Sequence, residues 1–492
     1  MQININELMV RSGVKFGTSG VRGLVAEMTD EVCFLYVTAF LQYLWKNNLV
    51  ETCGEIGIAG DLRSSTPRIM NAVAGACVEM GFKPVNCGYI PSPAVALFGL
   101  KHSMPTIMVT GSHIPDDRNG IKFNTKTGEI LKHDEKLIRS QLVDVPVRLF
   151  SNEAELINKR YLPSEITDAN EHYIQRFTNF FPKACLEGQN IGLYEHSSVS
   201  RDCLKVILER LGAKVTSLGR TNHFVSVDTE AIRPEDVVLA KEWSEEYKFD
   251  CIISTDGDGD RPLISDEKGH WLRGDVAGIL CARYLNADIV VTPVSSNSAV
   301  EKSEWFEQVI RTRIGSPYVI EAMQQASSDD KTSVGYEANG GFLQHTPISV
   351  DDRTLSPLAT RDAAIVPIAI LLLASKREMT VSELLATLPQ RYTFSDRLKD
   401  FPTKLSQTML SKMVEGNEAA NFETIRSFFP GLSEPVKIDE TDGIRITLAT
   451  DEIIHLRPSG NAPELRCYTE ADSEVLAQEL NSSCIKIMKT WL

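Results

Sequence analysis

A pattern of strand, Ser-rich polar loop, helix and strand recurs three times along this chain, and a chain that repeats it is confined to α/β architecture. The first instance runs from Ile56-Gly57-Ile58-Ala59-Gly60 through Asp61-Leu62-Arg63-Ser64-Ser65-Thr66-Pro67. There a Ser/Thr cap and an early proline start a helix predicted to reach about Met80. Gly81 stops it and Lys83-Pro84-Val85-Asn86-Cys87 resumes as strand, giving a βαβ unit. In the second, Ile191-Gly192-Leu193-Tyr194 and the polar Glu195-His196-Ser197-Ser198 lead into an apolar-periodic helix over Cys203–Leu211, then Gly212 and the strand Ala213–Thr216. The third leads from Ile289-Val290-Val291 and Ser295-Ser296-Asn297-Ser298 into a helix expected near Trp305 to Val309, before Gly315.

Past residue 385 the texture changes to a shorter α+β piece, with a linker near Leu388-Pro389-Gln390 and a strand predicted over Gly443–Leu448. A chain of 492 residues exceeds what one core supports, and about 150 residues per domain predicts three or four domains. Lys and Arg number 51 against 66 Asp and Glu, a net charge of −15, which argues against nucleic acid and against an anionic membrane surface as partners. An anionic ligand would therefore need a local island of Arg and Lys. The ten cysteines are scattered, form no C-x-x-C pair and fall partly inside apolar runs, as Cys251 does, so reduced core thiols and a cytoplasmic setting are expected. Met1–Asn6 lacks the basic start and apolar block of a signal peptide. The apolar stretch Ala363–Ala374 is too short to span a bilayer and reads as a buried helix.

Several loops carry chemistry. The apolar run Thr106–Val109 ends in Thr110-Gly111-Ser112-His113-Ile114-Pro115-Asp116-Asp117-Arg118-Asn119-Gly120-Ile121-Lys122-Phe123, a loop at a strand end. Ser112 beside His113, with Lys122 ten residues on, has the parts of a nucleophile or group carrier supported by cations, and nothing else in the loop is apolar enough to bury it. An isolated Gly-Ser-His is more often a solvated turn; its company elsewhere changes the balance. After the strand Cys251-Ile252-Ile253 comes Thr255-Asp256-Gly257-Asp258-Gly259-Asp260-Arg261. In an extended segment, carboxylates at every other position share one face and can converge on a hard cation, Mg²⁺, Mn²⁺ or Ca²⁺. An EF-hand is disfavoured, because Arg261 stands where its glycine is required and the flanks read as strands.

Three further loops bear on anions and hydroxyls. Lys15-Phe16-Gly17-Thr18-Ser19-Gly20-Val21-Arg22-Gly23 surrounds one arginine with glycines, so that Arg22 can grip a phosphate in bidentate fashion. Arg457-Pro458-Ser459-Gly460-Asn461-Ala462-Pro463-Glu464-Leu465-Arg466 flanks a Ser-Gly-Asn turn with two arginines, a candidate anion nest. In Gly335-Tyr336-Glu337-Ala338-Asn339-Gly340-Gly341-Phe342 a carboxylate and an amide could hold neighbouring sugar hydroxyls, or the segment is simply a hairpin turn. No G-x-x-x-x-G-K-[ST] occurs, so a P-loop NTPase is disfavoured.

Together these five motifs, in this order and spread over nearly the whole length, resemble the α-D-phosphohexomutases, the phosphomannomutase/phosphoglucomutase superfamily. The resemblance implies an α/β fold of four domains around a central cleft: three related α/β domains (1–160 with the serine loop, 161–273 with the metal loop, 274–386 with the sugar loop) and an α+β domain (387–492) with the phosphate loop. It implies that Ser112 is carried as phosphoserine, with one Mg²⁺ held by that group and by Asp256, Asp258 and Asp260. It further implies that Arg22, His113 and Lys122 assist transfer, and that Arg261, Glu337, Asn339, Arg457, Ser459, Gly460, Asn461 and Arg466 bind substrate.

The implied activity is interconversion of hexose 6-phosphate and hexose 1-phosphate, mannose by preference, through a hexose 1,6-bisphosphate that is both primer and intermediate. Small-molecule sugar phosphates are the expected partners, with the chain a monomer or homodimer. Alternatives are a phosphoglucomutase or phosphoglucosamine mutase, a hexose-bisphosphate synthase, a phosphatase acting through the same serine, and a non-catalytic sugar-phosphate sensor. The chain departs from the family pattern at Gly111 and Ile114, where many relatives have Ala and Asn, and at Asn339, where glucose- and mannose-specific members usually have Ser. It departs again at Gly341, where several members place a histidine that assists proton transfer, leaving that role to His113 or Lys122.

Overall fold

The computed structural model describes residues 2–51, 53–326, 330–350, 352–459 and 463–492, and divides into two compact units, Met1–Val290 with Gly315–Leu385 and Val291–Ile314 with Ala386–Leu492.

In the first unit, strand Glu55–Gly60 lies parallel to Lys83–Gly88 on one side and to Thr106–Val109 on the other. Thr106–Val109 then pairs antiparallel with Arg118–Thr125, which pairs antiparallel with Gly20–Leu24. The expected helix is Thr66–Glu79, with Pro67 in its first turn, and it packs on helix Asp30–Lys46. The latter, started by Thr29 accepting from Val32 N, is buried on nearly every side, as its apolar run Phe34–Leu41 requires. Because Thr106–Val109 is buried on both faces, the chain can turn out only at its end, and Gly111-Ser112 emerges there.

A second sheet places Asn190–Tyr194 between Lys214–Leu218 and Cys251–Thr255, all parallel, with Pro262–Ile264 antiparallel beyond. Cys251–Thr255 is wholly buried, so Asp256 is the first residue able to turn. Ser333–Tyr336 and Phe342–Gln344 form an antiparallel hairpin whose connection is Glu337–Gly341. Behind it helices Gly274–Tyr284 and Ile365–Lys376 pack together, and the predicted apolar helix is buried on almost all sides.

The second unit contains an antiparallel sheet in the order Tyr392–Leu398, Leu465–Ala471, Ile453–Pro458, Ile444–Leu448, Pro435–Asp439. Ile444, Ile446 and Leu448 alternate inward, the period-2 pattern of a half-buried strand. One expectation fails in this unit. Residues 305–309 are not helical: a four-residue helix, Ala299–Lys302, precedes them, and Gln308–Thr312 is a strand. The β-branched Val309, Ile310 and Thr312 favour the extended form over a helix.

All ten cysteines are free and all but Cys53 and Cys185 are buried; burial pushes the Cys251 thiol up. Among the described residues no helix is long and apolar enough to cross a membrane.

Candidate active site

Ser112 is set in the left-handed region, φ +56°, a costly conformation for a residue with a Cβ and one that must be held by its surroundings. Its N–H donates to Thr110 Oγ1 at 2.7 Å, and the Thr110 hydroxyl donates to Asp61 Oδ2 at 2.7 Å. Beneath the loop lies Arg63, fully buried, whose five N–H groups all find acceptors. Nε donates to Asp61 Oδ2 at 3.1 Å, Nη1 to the carbonyls of Pro115 and Arg118 at 2.7 and 2.9 Å, and Nη2 to those of Ser112 and Ile114 at 3.0 and 2.5 Å. The Phe224 ring covers its guanidinium at 3.9 Å. The serine loop is thus wrapped on one buried cation, and a Cβ at Gly111 would come within 2.6 Å of Arg63 Cζ, which gives a steric reason for glycine there.

Arg63→Met is accordingly expected to strip the buried Asp61 carboxylate of its cation and to remove the guanidinium donor from four carbonyls, lowering stability by about 3–5 kcal/mol. Denaturant unfolding checks this, and an unchanged midpoint would show that the loop holds itself.

Ser112 is buried at 1% exposure, although nothing else in its own loop is apolar enough to cover it. The cover comes from the aspartate loop: a Cβ on Gly257 would sit 2.7 Å from Ser112 O, so glycine lets the two loops abut. The aspartates also converge differently from the extended, alternating arrangement read from sequence. Residues 256–261 form a turn, with Gly259 at φ +71° and Asp256 Oδ1 accepting from the N–H groups of Asp260 and Arg261, both at 3.2 Å. The turn gathers one carboxylate oxygen from each of Asp256, Asp258 and Asp260 within 4.8 Å.

The Ser112 hydroxyl donates to Asp256 Oδ2 at 2.6 Å, and His113 Nδ1 lies 3.2 Å from the same Oγ. Lys122 Nζ donates to Asp258 Oδ2 at 2.5 Å and Asp260 Oδ2 at 2.6 Å. Asp258 Oδ1 and Asp260 Oδ1 are buried without a hydrogen-bond partner among the described residues. Two unanswered anionic oxygens beside a third carboxylate suit a hard divalent cation, so the donor set fits a metal ion.

Charge crowding sets the protonation. Burial, then Asp258 and Asp260, push the Asp256 carboxyl well above the usual range. Burial, the largest single cause, would do the same to Asp258 and Asp260, but at Asp258 it is outweighed by Lys122 together with hydrogen bonds from Ser92 and Asp256, and at Asp260 by Arg361, Lys122 and Arg261 together, so both lie below the usual range. Burial, then Arg261 and Arg22, push His113 down to about 2, which keeps its imidazole neutral. Burial, then Arg261 and Arg361, lower Arg22 to about 10. The strands deliver these cations: Arg22 is in register with Gly120 and Lys122 with Gly20, whose added Cβ would meet Ile121 O at 2.0 Å.

The sugar-loop candidates stand in the same unit. The loop closes on itself through Gly340 N–H to Glu337 O at 2.9 Å and Gly341 N–H to Asn339 Oδ1 at 2.9 Å, with Gly340 at φ +87°. Glu337 Oε2 lies 3.3 Å from Arg361 Nη1, and Thr229 Oγ1 donates to Asn339 O at 2.7 Å. In the second unit Arg457 and Arg466 are cross-strand neighbours, Arg457 Nε is 2.9 Å from Asp442 Oδ2, and Ser459 N–H donates to Glu464 O at 2.9 Å. Gly460 and Asn461 lie outside the described residues.

Within the first unit, then, Ser112, His113, Lys122, Arg22, Asp256, Asp258, Asp260, Arg261 and Glu337 are brought together. Sequence reasoning missed Arg63, Arg361 and the segment 224–229, whose Ser226 hydroxyl donates to His113 O and whose Thr229 holds the sugar loop. Thr360-Arg361-Asp362 sets two charges just ahead of a helix buried nearly all round, a local oddity that does not name the partners of Arg361.

Comparison with known proteins bears on this arrangement. Four family models match in order: phosphoglucomutase/phosphomannomutase alpha/beta/alpha domain I over residues 13–144, domain II over 171–269, domain III over 273–392, and the C-terminal domain over 409–486. A phosphomannomutase of Salmonella muenchen is 43% identical, covering 99% of this chain and 98% of that one. A phosphomannomutase of Sinorhizobium fredii is 40% identical over 97% and 99%. A phosphoglucosamine mutase of Desulfotalea psychrophila is more distant, 27% identical over 94% and 97%. Among solved structures, a putative phosphomannomutase from Thermus thermophilus superposes with a TM-score of 0.74 at 21% identity, covering 97% of this chain and 99% of that one, which is a likeness of fold. The buried serine, the aspartate turn and full-length matches in all four parts lead to one conclusion: the chain belongs to the phosphoglucomutase/phosphomannomutase family.

Proposed function

We propose that this protein is a phosphohexomutase, a phosphomannomutase by preference, that uses Ser112 as a phosphoryl carrier and Mg²⁺ as its cation. The observation that carries the reading is the Ser112 hydroxyl 2.6 Å from Asp256, held in a strained backbone conformation beside a carboxylate cluster and Lys122. Moving phosphate between C1 and C6 of a hexose requires a carrier, because the two oxygens lie at opposite ends of the sugar. In the forward half-reaction the free sugar hydroxyl attacks the phosphorus borne by Ser112. The P–Oγ bond breaks, a P–O bond to the sugar forms, and the hydroxyl proton ends on Ser112 Oγ. Asp256 Oδ2 receives that O–H, and the neutral imidazole of His113 stands at the same oxygen. The resulting 1,6-bisphosphate turns over, and Ser112 takes back the other phosphoryl group.

Such transfer depends on positioning and charge neutralisation more than on covalent assistance. A divalent cation on the free oxygens of Asp258 and Asp260 would neutralise charge on the moving group. Arg22, Lys122 and Arg261 supply fixed positive charge, and Glu337 and Asn339 receive ring hydroxyls. Arg457, Ser459 and Arg466, with Gly460 and Asn461, recognise a substrate phosphate. The boundaries 1–160, 161–273, 274–386 and 387–492 are proposed as the domain limits. Identities of 43% and 40% to named phosphomannomutases, against 27% to a phosphoglucosamine mutase, support mannose as the sugar. A pure sensor has no use for a carrier serine beside a metal cluster.

Coupled assays with mannose-, glucose-, glucosamine- and N-acetylglucosamine-1-phosphate, each with and without bisphosphate primer, test the reading. The highest kcat/KM is expected for mannose 1-phosphate; binding without turnover of any of the four would favour a sensor.

A further inference from the structure

Arg361 belongs to none of the motifs that identify the family, yet it joins two of them. It is 3% exposed. Its Nη2 and Nε lie 2.9 and 3.1 Å from Asp260 Oδ2, and its Nη1 lies 3.3 Å from Glu337 Oε2. One guanidinium therefore spans a cation-loop carboxylate and a sugar-loop carboxylate, using the planar fork that only arginine has. Its stem runs where a side chain at 341 would stand: a Cβ built on Gly341 would lie 2.3 Å from Arg361 Cδ and 2.6 Å from Cγ.

The flanking residues hold the backbone of this segment. Thr360 Oγ1 donates to Glu129 Oε1 at 2.6 Å, and Asp362, which accepts from Tyr173 OH at 2.7 Å, also lies 3.5 Å from Arg176 Nε. Arg361 thus enters the site from an anchored base, and its pairing at Oδ2 leaves Asp260 Oδ1 without a hydrogen bond, with only Arg261 Nε near it at 3.7 Å.

We propose that Arg361 is a positioning residue for the mutase reaction, fixing Asp260 for the cation and Glu337 for the sugar at once, and that Gly341 is glycine so that Arg361 can do so. The inference rests on the reading above for the identity of the two ligands, the divalent cation and the sugar phosphate. It makes residues 341 and 361 a single unit, in which bulk at one position is incompatible with the native side chain at the other.

The test uses the full chain as Arg361→Lys, which keeps the charge but loses the fork, and Gly341→Ala, which keeps the arginine but displaces it. Mn²⁺ affinity is read by electron paramagnetic resonance, and KM and kcat with mannose 1-phosphate. Each single variant is expected to bind Mn²⁺ about 10-fold more weakly, the usual cost of losing a partner that orients a metal ligand. KM should rise about 10-fold while kcat at saturating cation and sugar stays within about threefold, because ground-state positioning rather than transfer is lost. The double variant should be no worse than the poorer single one, since both changes displace the same group.

Wild-type values in both single variants, additive defects, or a fall in kcat at unchanged KM would overturn the proposal, as would failure of both to fold. The Mn²⁺ titration needs no turnover, so an inactive wild-type enzyme would count against the mutase reading and leave the Mn²⁺ comparison standing.

Discussion

Ser112→Ala protein is expected to show no mutase turnover with any hexose phosphate, a loss on the order of 10⁴-fold or more in kcat, since the group that carries the phosphoryl is gone. The loss should be chemical and not structural. Ser112 Oγ contacts Asp256 Oδ2 and His113 Nδ1, whereas the loop is held through Thr110, Asp61 and the five bonds of Arg63, none of which uses the hydroxyl. The variant should therefore unfold close to wild type and still bind Mn²⁺ and mannose 1-phosphate. Intact mass should show a fraction of wild type heavier by one phosphoryl group after exposure to bisphosphate, and none of the variant. Undiminished turnover in the variant would remove the carrier mechanism, and a large drop in stability would mean that the serine is structural.

How far this site could be read from the chain follows from where its bonds run. The serine, aspartate and sugar loops begin at strand ends and the glycine-arginine motif runs into the strand Gly20–Leu24, but each is a contiguous segment, and a contiguous segment advertises itself by composition. The strand Cys251–Thr255 and the helix Thr66–Glu79 were legible for the same reason, since periodicity and caps are local signals. Arg63 and Arg361 were not. Their partners lie far along the chain: Pro115 and Arg118 for Arg63, Asp260 for Arg361. No spacing rule links such positions. The aspartates are legible as candidate ligands and do converge, but by a different geometry, because alternation suggests a strand and the left-handed Gly259 turns the segment back on itself. The burial of Ser112 was missed because its cover, Gly257 and its neighbours, comes from another sheet. At 305–309 the recurrence of strand, polar loop and helix suggested a helix, whereas the β-branched Val309, Ile310 and Thr312 decide for the strand Gln308–Thr312.

Replacing Asp256 by asparagine is expected to move activity and stability in opposite directions. Asn is isosteric: its side-chain oxygen can keep the bonds from Asp260 N–H and Arg261 N–H, and its amide can donate to the Ser112 hydroxyl in place of accepting from it. What changes is charge. In the cation-free protein Asp256 is a buried carboxylate facing Asp258 and Asp260, and burial followed by those two charges pushes its carboxyl well up. An acid whose folded-state value is raised weakens the fold wherever the unfolded chain would ionise, that is at every pH above about 4. The variant escapes that cost. In chelator at pH 7 its melting temperature should exceed that of wild type by about a degree, about 1 kcal/mol, and the gain should vanish as pH falls below about 4. Added Mg²⁺ should raise the wild-type melting temperature by mass action and raise that of the variant much less. Activity at saturating Mg²⁺ should fall about 10³-fold, the equivalent of several kcal/mol of lost charge stabilisation. A variant less stable than wild type in chelator would show that the carboxylate cluster is a structural ion network, and one that keeps cation-dependent turnover would show that Asp256 is not part of the cation site.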